Sequence, residues 1–371
     1  MLHKIRSFKS LLFTLLLSAL LFCLSGSVFA GVVAPSGKKG STDRWNIQEE
    51  LARTKSVTLQ KGGKYYLDIA IRLKNNYTID ATGATIVLAK AGARNSKYST
   101  DYKSLSHVTI IGGKWISASK SGCPGTTFSF AHANHITMKN MNIQCTNAEG
   151  HAIELSACSD VLISNCKVIA KGTFKKNSVE EMIQIDLATP RTAPFLENSK
   201  QQNGLACKNI TITGCTVTGN RAVCANWAAS EPKFQSKYHT NIVIKNCTLT
   251  GKSAEGLALF NTINATVTGC KITSNSKRLT ESYSCGANVA VFGKVKAFSK
   301  GKITFQNNTI KGGRRAFLIY SHADTQYGQL TFKKNKLYCK AGANEAYFFG
   351  ERAELNTVKK VVSSGNKRYK W

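Results

Sequence analysis

One short pattern recurs along the whole chain and restricts it to very few folds. Each copy alternates apolar and polar residues, reaches a Gly, Asn or Cys, and then resumes with another apolar residue. The copies are HVTIIGGKW at 107, HITMKNMNI at 135, DVLISNCKV at 160, NITITGCTV at 209, NIVIKNCTL at 241, ATVTGCKI at 265, KITFQNNTI at 302 and QLTFKKNKL at 329. Alternation with period two is typical of a strand with one buried face. Copies that begin roughly 25 to 50 residues apart predict a solenoid.

Each copy is preceded by a second short strand. These strands read HAIEL at 151, MIQIDL at 182, AVCANW at 222, GLALFN at 256, NVAVFG at 288, AFLIY at 316 and AYFFG at 346. Two strands per coil, with a third in the variable part, predict an all-β parallel β-helix whose coils stack on one another.

The cysteines follow the repeat. Aligning the copies places Cys166, Cys215, Cys247 and Cys270 at one position, which Met141, Asn308 and Asn335 occupy in other copies. Equivalent residues of stacked coils lie about 4.8 Å apart. We therefore interpret these cysteines as a buried ladder rather than as catalytic or metal-binding residues. Neighbouring rungs are close enough for disulfides, and the sequence leaves their pairing open.

The two ends of the chain have separate roles. Residues 1–30 carry basic residues, an apolar run and a small-residue ending, which predicts a secretory signal peptide. Residues 31–54 contain STDRWNIQEELART, in which Trp45, Ile47 and Leu51 indicate a helix that caps the open end of the solenoid. Residues 55–371 form the β-helix domain. We expect a secreted protein, extracellular or periplasmic, with no stable membrane insertion.

The formal net charge of +31 indicates attraction to polyanions. Since an exported protein does not ordinarily meet nucleic acid, the expected partner is an acidic polysaccharide or an anionic cell-surface glycan. We expect the protein to act as a monomer.

The motifs GHAIEL, EMIQIDLATP, ACKNITITGC and KYHTNIVIKNC resemble those of secreted bacterial β-helix repeat proteins. The chain is identified by them as a member of the right-handed parallel β-helix, pectin-lyase-like superfamily, over nearly all of residues 55–365. The resemblance implies a single right-handed parallel β-helix. It leaves the activity open, because the superfamily includes lyases, hydrolases, epimerases and non-catalytic adhesins. The paired aspartates of polygalacturonases and the acid-rich calcium pocket of pectate lyases are missing from this sequence.

Alternation along the second strands predicts which side chains point outward. The residues predicted to point inward form one column, which contains Ile153, Ile183, Val223, Leu257, Val289, Phe317 and Tyr347. The residues that alternate with them form two other columns, which face solvent. Glu154 and Asp186 then lie diagonally on neighbouring strands, with β-carbons about 7 to 8 Å apart. This pair is the expected catalytic centre, one carboxyl group protonating the leaving oxygen and the other attacking the sugar or activating water.

Further residues complete the predicted site. Glu181 is a substitute for one member of the pair, and His239 closes an insertion that reaches the same cleft. The expected substrate-binding residues are His151, Gln184, Arg221, Asn226, Phe260, Phe292, Arg315 and Tyr320. The arginines bind carboxylate or sulfate groups bidentately. The three aromatic residues form an exposed row for sugar faces, or else pack as a satellite core under a loop.

Three functions remain open. Hydrolysis of glycosidic bonds in an acidic polysaccharide is slightly favoured, because paired acids are visible. A lyase would remove the proton at C5 of a uronate with His239 or a lysine, and Ca²⁺ would then be its cofactor. A glycan-binding protein or adhesin needs no catalytic residue. No other cofactor and no metal site is predicted.

Overall fold

Three long parallel β-sheets wrap one continuous core of buried side chains. The computed structural model describes residues 30–117, 126–145, 151–170, 179–277, 284–293, 295–321, 325–348, 351–352 and 355–371. The architecture is a parallel β-helix, so the predicted fold class is confirmed. The predicted signal segment lies outside the described residues apart from Ala30.

Sheet 1 contains the first half of each repeat. Its twelve strands, in stacking order, are Gly31–Val33, Ser56–Leu59, Thr78–Asp80, Leu105–Ile111, Ala133–Lys139, Ser159–Ser164, Lys208–Thr213, His239–Lys245, Thr262–Thr268, Lys302–Gln306, Tyr327–Lys333 and Val358–Ser364.

Sheet 2 contains the second half of each repeat, beyond the Gly, Asn or Cys. Its eleven strands are Lys64–Leu67, Thr85–Leu88, Lys114–Ser117, Asn142–Cys145, Lys167–Ala170, Thr216–Gly219, Thr248–Gly251, Lys271–Ser274, Thr309–Gly312, Lys336–Cys339 and Lys367–Lys370.

Sheet 3 contains the short strands that were predicted to precede the repeats. Its ten strands are Ile71–Leu73, Ala93–Asn95, Phe128–Ala131, Ile153–Ser156, Glu181–Asp186, Arg221–Ala225, Leu257–Phe260, Ala287–Val291, Phe317–Ser321 and Tyr347–Phe348. A small antiparallel pair joins Glu351–Arg352 to Leu355–Asn356. Short 3₁₀ turns lie at Pro232–Phe234, Lys296–Lys300 and Ala343–Glu345.

The bend from sheet 1 to sheet 2 requires a left-handed backbone residue. That residue has φ between 51° and 68° in Gly112, Asn140, Asn165, Gly214, Asn246, Gly269, Asn307, Lys334 and Gly365. Glycine and asparagine tolerate this conformation best. Their recurrence in the repeat is therefore a requirement of the bend.

The predicted ladder is confirmed and follows directly after this residue. In each rung a backbone amide donates to the ladder side chain of the next coil. The bonds run from Cys166 to Cys215, from Cys215 to Cys247 and from Cys247 to Cys270, each 3.4 Å, and then through Asn308, Asn335 and Asn366 at 2.9–3.0 Å. The four ladder cysteines are free thiols.

The helix Thr42–Thr54 packs on the N-terminal end of the tube, as expected. Ile47 and Leu51 are fully buried in the core. The prediction for Trp45 was wrong, because its side chain is 53% exposed and Arg44 occupies the buried face instead. Among the described residues, no helix is long and apolar enough to cross a membrane.

The cap also closes the open edge of sheet 3. The side-chain amide of Gln48 donates to the Arg72 carbonyl at 3.1 Å, and its oxygen accepts from the Arg72 amide at 2.9 Å. A glutamine thus takes the place of a neighbouring strand at the edge, which would otherwise expose unpaired backbone groups.

The ladder generates the first prediction. Asn308 accepts from the Cys270 amide at 2.9 Å and donates to the Val267 carbonyl at 3.0 Å. Asn308→Ala leaves both buried groups unsatisfied, which should reduce the free energy of unfolding by about 2 kcal/mol or more. Asn308→Cys restores the rung found in the preceding coils and should cost clearly less. Thermal midpoints compare the two variants, and an equal loss would contradict the proposed role of the ladder.

Candidate active site

The outward face of sheet 3 alternates as expected, with Ile153 and Leu155 in the core and Glu154 on the other side. Strand register places one outward residue of each coil in a single row. In order along the stack this row contains Arg72, Arg94, Ser129, Glu154, Gln184, Cys224, Ala258, Asn288 and Leu318. The row is basic at its N-terminal end, polar in the middle and mainly apolar beyond.

The predicted alignment of the strands was wrong by two residues in one coil. Leu257 pairs with Ala287 rather than with Val289. Ala290, not Phe292, consequently stands between Phe260 and Tyr320. A slip of two residues keeps each side chain on its face, so the error moves positions without turning them inward.

A cavity of about 710 Å³ lies over the N-terminal half of sheet 3. Its floor is formed by Ser129, His151, Glu154, Gln184 and Asp186. Its walls come from Ile69, Ala70, Lys90, Ala91, Arg94 and Thr126 on one side, and from Arg191, Thr192, Pro194, Phe195, Asn226, Trp227, Ala228, Ala229 and Glu231 on the other. The predicted pair Glu154 and Asp186 therefore lies in one cavity.

Two loops cover the floor. Residues 187–207 follow the strand of Asp186, and residues 226–238 follow the next strand. The first is held to the N-terminal coils, for example by Gln201 donating to the Tyr98 carbonyl at 3.1 Å. The second is held to the first through the Arg191 amide, which donates to Glu231 at 3.3 Å.

This cover corrects the expected exposure of the two acids. Glu154 and Asp186 do point away from the core, and strand register makes them diagonal neighbours, as predicted. Neither points into open water, since Glu154 is 6% exposed and Asp186 is fully buried. The alternation predicted the face correctly but could not reveal the loops above it.

Burial changes the acidity of both groups. For Asp186, burial and then the charge of Glu181 raise the pKa well above its ordinary value. Its Oδ1 accepts from the Leu187 amide at 3.0 Å, and its Oδ2 has no hydrogen-bond partner. Burial therefore favours the protonated form of Asp186.

Glu154 has stronger support for its charged form. Burial raises its pKa, but the charge of His151 and three hydroxyl groups act in the opposite direction. Two of those hydroxyls are Ser129 at 3.2 Å and Ser156 at 3.5 Å. Since hydrogen bonds to a carboxylate favour ionisation, Glu154 is the member of the pair better suited to carry the negative charge.

Glu181 and Arg221 lie beside the cavity in a buried ionic network. The Arg221 guanidinium forms ion pairs of 2.8 Å with both Glu181 and Glu255. Asn226 donates to Glu181 at 3.4 Å, and Asn288 donates to Glu255 at 2.9 Å. Arg221 is thus engaged in ion pairs inside the protein and does not line the cavity. Glu181 acts on the site through its charge.

The two predicted histidines have different environments. His151 lines the cavity, and its Nδ1 donates to the Glu181 carbonyl at 2.7 Å. His239 is fully buried outside the lining. Its Nδ1 accepts from the Cys207 amide at 3.1 Å, and its Nε2 donates to the Asn226 carbonyl at 2.8 Å. Both nitrogens are therefore bonded to backbone, and His239 does not stand where a catalytic base is needed.

The predicted aromatic row exists as a packed cluster. Phe260 is 8% exposed, and Phe292 contacts it edge-on at 5.3 Å and Tyr320 at 6.1 Å. Trp227, which also lines the cavity, stacks on Phe292 at 4.1 Å. The predicted row is thus largely the satellite core that the sequence analysis left open as an alternative. Trp227, which packs on this cluster, also lines the cavity.

Arg315 lies four strands along sheet 3 from Asp186 and outside the cavity lining. It forms an ion pair of 3.4 Å with Glu345. The structure therefore does not unite this predicted binding residue with the others.

Several lining residues were not predicted, namely Arg94, Ser129, Phe195, Trp227 and Glu231. A signal for two of them was present. The short segments ARN at 93 and FSFA at 128 precede repeats as the other strands of sheet 3 do. Extending the alignment through them places Arg94 and Ser129 in the row of Glu154.

The ionic network generates the second prediction. Arg221→Met leaves two buried carboxylates unpaired, so the free energy of unfolding should fall by about 3–5 kcal/mol. Arg53→Met is the matched control, since that arginine is 61% exposed in its pair with Glu50 and should cost less than about 1 kcal/mol. Chemical denaturation of both variants measures the difference. Similar losses would show that the network does not stabilise the fold.

Comparison with known proteins supports this architecture. Residues 198–358 match the family model described as right handed beta helix region. A comparison with curated protein sequences finds no match.

Solved structures resemble the chain over most of its length at low identity. The surface adhesin PfbA of Streptococcus pneumoniae is 14% identical with a TM-score of 0.58, over 92% of this chain and 91% of that one. A hyperthermoactive exopolygalacturonase from Thermotoga maritima is 9% identical with a TM-score of 0.53, over 91% and 90%. A mutant tailspike protein of E. coli bacteriophage HK620 is 13% identical with a TM-score of 0.53, over 90% and 63%. The chain therefore has a right-handed parallel β-helix fold.

Proposed function

We propose that this chain is an exported enzyme that hydrolyses glycosidic bonds of an acidic polysaccharide in the cavity over sheet 3. One observation carries the proposal. Two carboxyl groups, Glu154 and Asp186, line the same cavity on neighbouring strands, and their environments differ in how strongly they favour the charged form.

The two environments suggest separate roles. The raised pKa of Asp186 favours its protonated form, which would donate a proton to the glycosidic oxygen as the bond breaks. Glu154 would attack the sugar carbon or activate the water that does so. Glu181 acts indirectly, because its charge raises the pKa of Asp186 and Arg221 holds it in place.

The walls suit a charged sugar chain. Lys90, Arg94 and Arg191 supply positive charge, while Phe195 and Trp227 supply aromatic surface. Cavities that bind organic ligands commonly combine apolar walls with a few placed polar groups. The overall charge of +31 would further concentrate an acidic polymer at the surface. Export through residues 1–30 and action as a monomer belong to the same proposal.

A glycan-binding protein without activity is the second candidate. It is favoured by the burial of both carboxyl groups, since basic and aromatic walls suffice for binding. A lyase has less support, because His239, the histidine predicted as its base, is bonded at both nitrogens and lies outside the cavity lining.

The third prediction tests hydrolysis directly. The protein is incubated with a panel of uronic-acid and sulfated polysaccharides, and reducing ends and ultraviolet absorbance are both followed. Reducing ends should increase without ultraviolet absorbance. Glu154→Gln and Asp186→Asn should each lower the rate by about 10²-fold or more. The exposed helix residue Glu49 supplies the control variant Glu49→Gln, which should retain full activity.

Each other result has a defined meaning. An unsaturated, absorbing product would identify a lyase. Retention of the polysaccharide without any loss of chain length would identify a binding protein. Unchanged cleavage by Glu154→Gln would exclude the proposed pair.

The fourth prediction concerns the loss of folding stability that the buried carboxyl group of Asp186 causes as pH rises. A carboxyl group whose pKa is raised in the folded state contributes stability that is fully present below its unfolded pKa of about 3.9 and is lost as pH rises toward its folded pKa. The loss is about 1.4 kcal/mol per pH unit in that window. Asp186→Asn cannot ionise and should lack this loss. Thermal midpoints measured from pH 4 upward should therefore diverge in favour of the variant, and parallel curves would refute the raised pKa.

A further inference from the structure

Three arginines lie together at the N-terminal end of the cavity. Arg94 pairs in register with Arg72 on one side and with Ser129 on the other, and Ser129 is the neighbour of Glu154. Arg94 is thus two strands from Glu154, or about 10 Å at the usual strand spacing. Arg94 also lines the cavity wall.

Arg44 approaches the same place from the cap helix. It lies one turn before Gln48, whose side chain pairs with the Arg72 backbone. Residues four apart share a helix face, so Arg44 faces the edge of sheet 3. Burial, followed by the charges of Arg94 and Arg44, lowers the pKa of Arg72, as expected for guanidinium groups that crowd one another.

Among the described residues, this cluster has no carboxylate partner, since no carboxylate forms an ion pair with any of the three arginines. The neighbouring acid Asp43 accepts instead from the Ser36 and Tyr66 amides. Arg221 shows the contrast, because its two acidic partners neutralise it fully.

Individual guanidinium atoms are also unsatisfied. Arg44 is 6% exposed, and its Nε and Nη1 are buried without a hydrogen-bond partner. The Nε of Arg94 is in the same condition, while Arg72 donates to the Asn95 carbonyl at 3.5 Å. Buried charges in proteins are normally paired, because an unpaired one is costly.

We propose that Arg44, Arg72 and Arg94 form a subsite for the anionic substituent of a sugar, a carboxylate or a sulfate ester. Arg94 makes the direct contact from the cavity wall, and the other two supply positive charge behind it. A guanidinium donates two parallel hydrogen bonds to either group. The inference rests on the proposed function in one respect, since it places an acidic sugar about two strands to the N-terminal side of the Glu154–Asp186 pair.

Binding measurements test the subsite separately from catalysis. The probes are a uronic-acid oligosaccharide, its carboxyl-reduced neutral counterpart and a sulfated oligosaccharide of equal length, titrated calorimetrically into the intact protein and its variants. The Glu154→Gln background slows turnover during the titration. Arg94→Met should weaken binding of the preferred charged probe at least about tenfold and leave the neutral probe unchanged. Arg94→Lys should restore part of the affinity. The better of the two charged probes identifies the substituent.

A structural role would give a different result. Removing an unpaired charge should leave the thermal midpoint of Arg94→Met unchanged or higher, whereas a loss of midpoint with equal weakening of all probes would overturn the subsite. Arg53→Met is the exposed control and should bind as the parent does. Equal affinity of the parent for charged and neutral probes, or no binding of any probe, would also overturn it.

The two proposals fail in distinguishable ways. Charge-selective binding that Arg94→Met abolishes, without any cleavage by the unmodified protein, would retain the subsite and reject hydrolysis. Cleavage with undiminished affinity in Arg94→Met would retain hydrolysis and reject the subsite.

Discussion

The ladder at the bend between sheets 1 and 2 is the interaction on which the structure depends. In the coils from Cys215 to Asn366 a left-handed residue turns the chain, and the side chain of the next residue accepts a hydrogen bond from a backbone amide of the preceding coil. This contact requires a small side chain with an acceptor atom, since neighbouring coils are only about 4.8 Å apart. A thiol sulfur accepts this hydrogen bond weakly, and the side-chain oxygen of asparagine accepts it more strongly. The change from Cys270 to Asn308 therefore alters the strength of the rung without altering its geometry.

Strand pairing in a fixed register places one residue of each coil in the same row on the face of sheet 3. Arg94, Ser129, Glu154 and Gln184 are separated along the chain yet adjacent in one row. No loop has to hold them in position, and a rigid scaffold is the support that catalytic groups require. The loops contribute a different property, namely exclusion of water. They convert an exposed row of polar residues into a cavity whose carboxyl groups have raised pKa values.

The sequence predicted those features that repeat and missed those that do not. Alternation identified the fold, the ladder and the outward direction of Glu154 and Asp186. It could not identify the slip at Ala287, since a period of two looks the same after a shift of two residues. The burial of Asp186, the bonding of both His239 nitrogens and the ion pairs of Arg221 all depend on contacts made by irregular loops or by other coils. The helix face was misjudged for a similar reason, because an arginine is not expected to be buried without an acid.

The raised pKa values also resolve an electrostatic conflict in the proposed site. An acidic floor would repel an acidic polysaccharide if both carboxyl groups were ionised. The protonated form of Asp186, which its raised pKa favours, leaves at most one negative charge on the pair, and hydroxyl groups and His151 favour that charge on Glu154. Arg94, two strands away, would then attract the substituent of a neighbouring sugar without neutralising the carboxylate. The arginine proposed to attract the substrate and the carboxyl groups proposed to cleave it thus lie at different places along one row. A single ion pair between Arg94 and Glu154 would use the positive charge that the proposed subsite needs, although it would favour the charged form of Glu154 further.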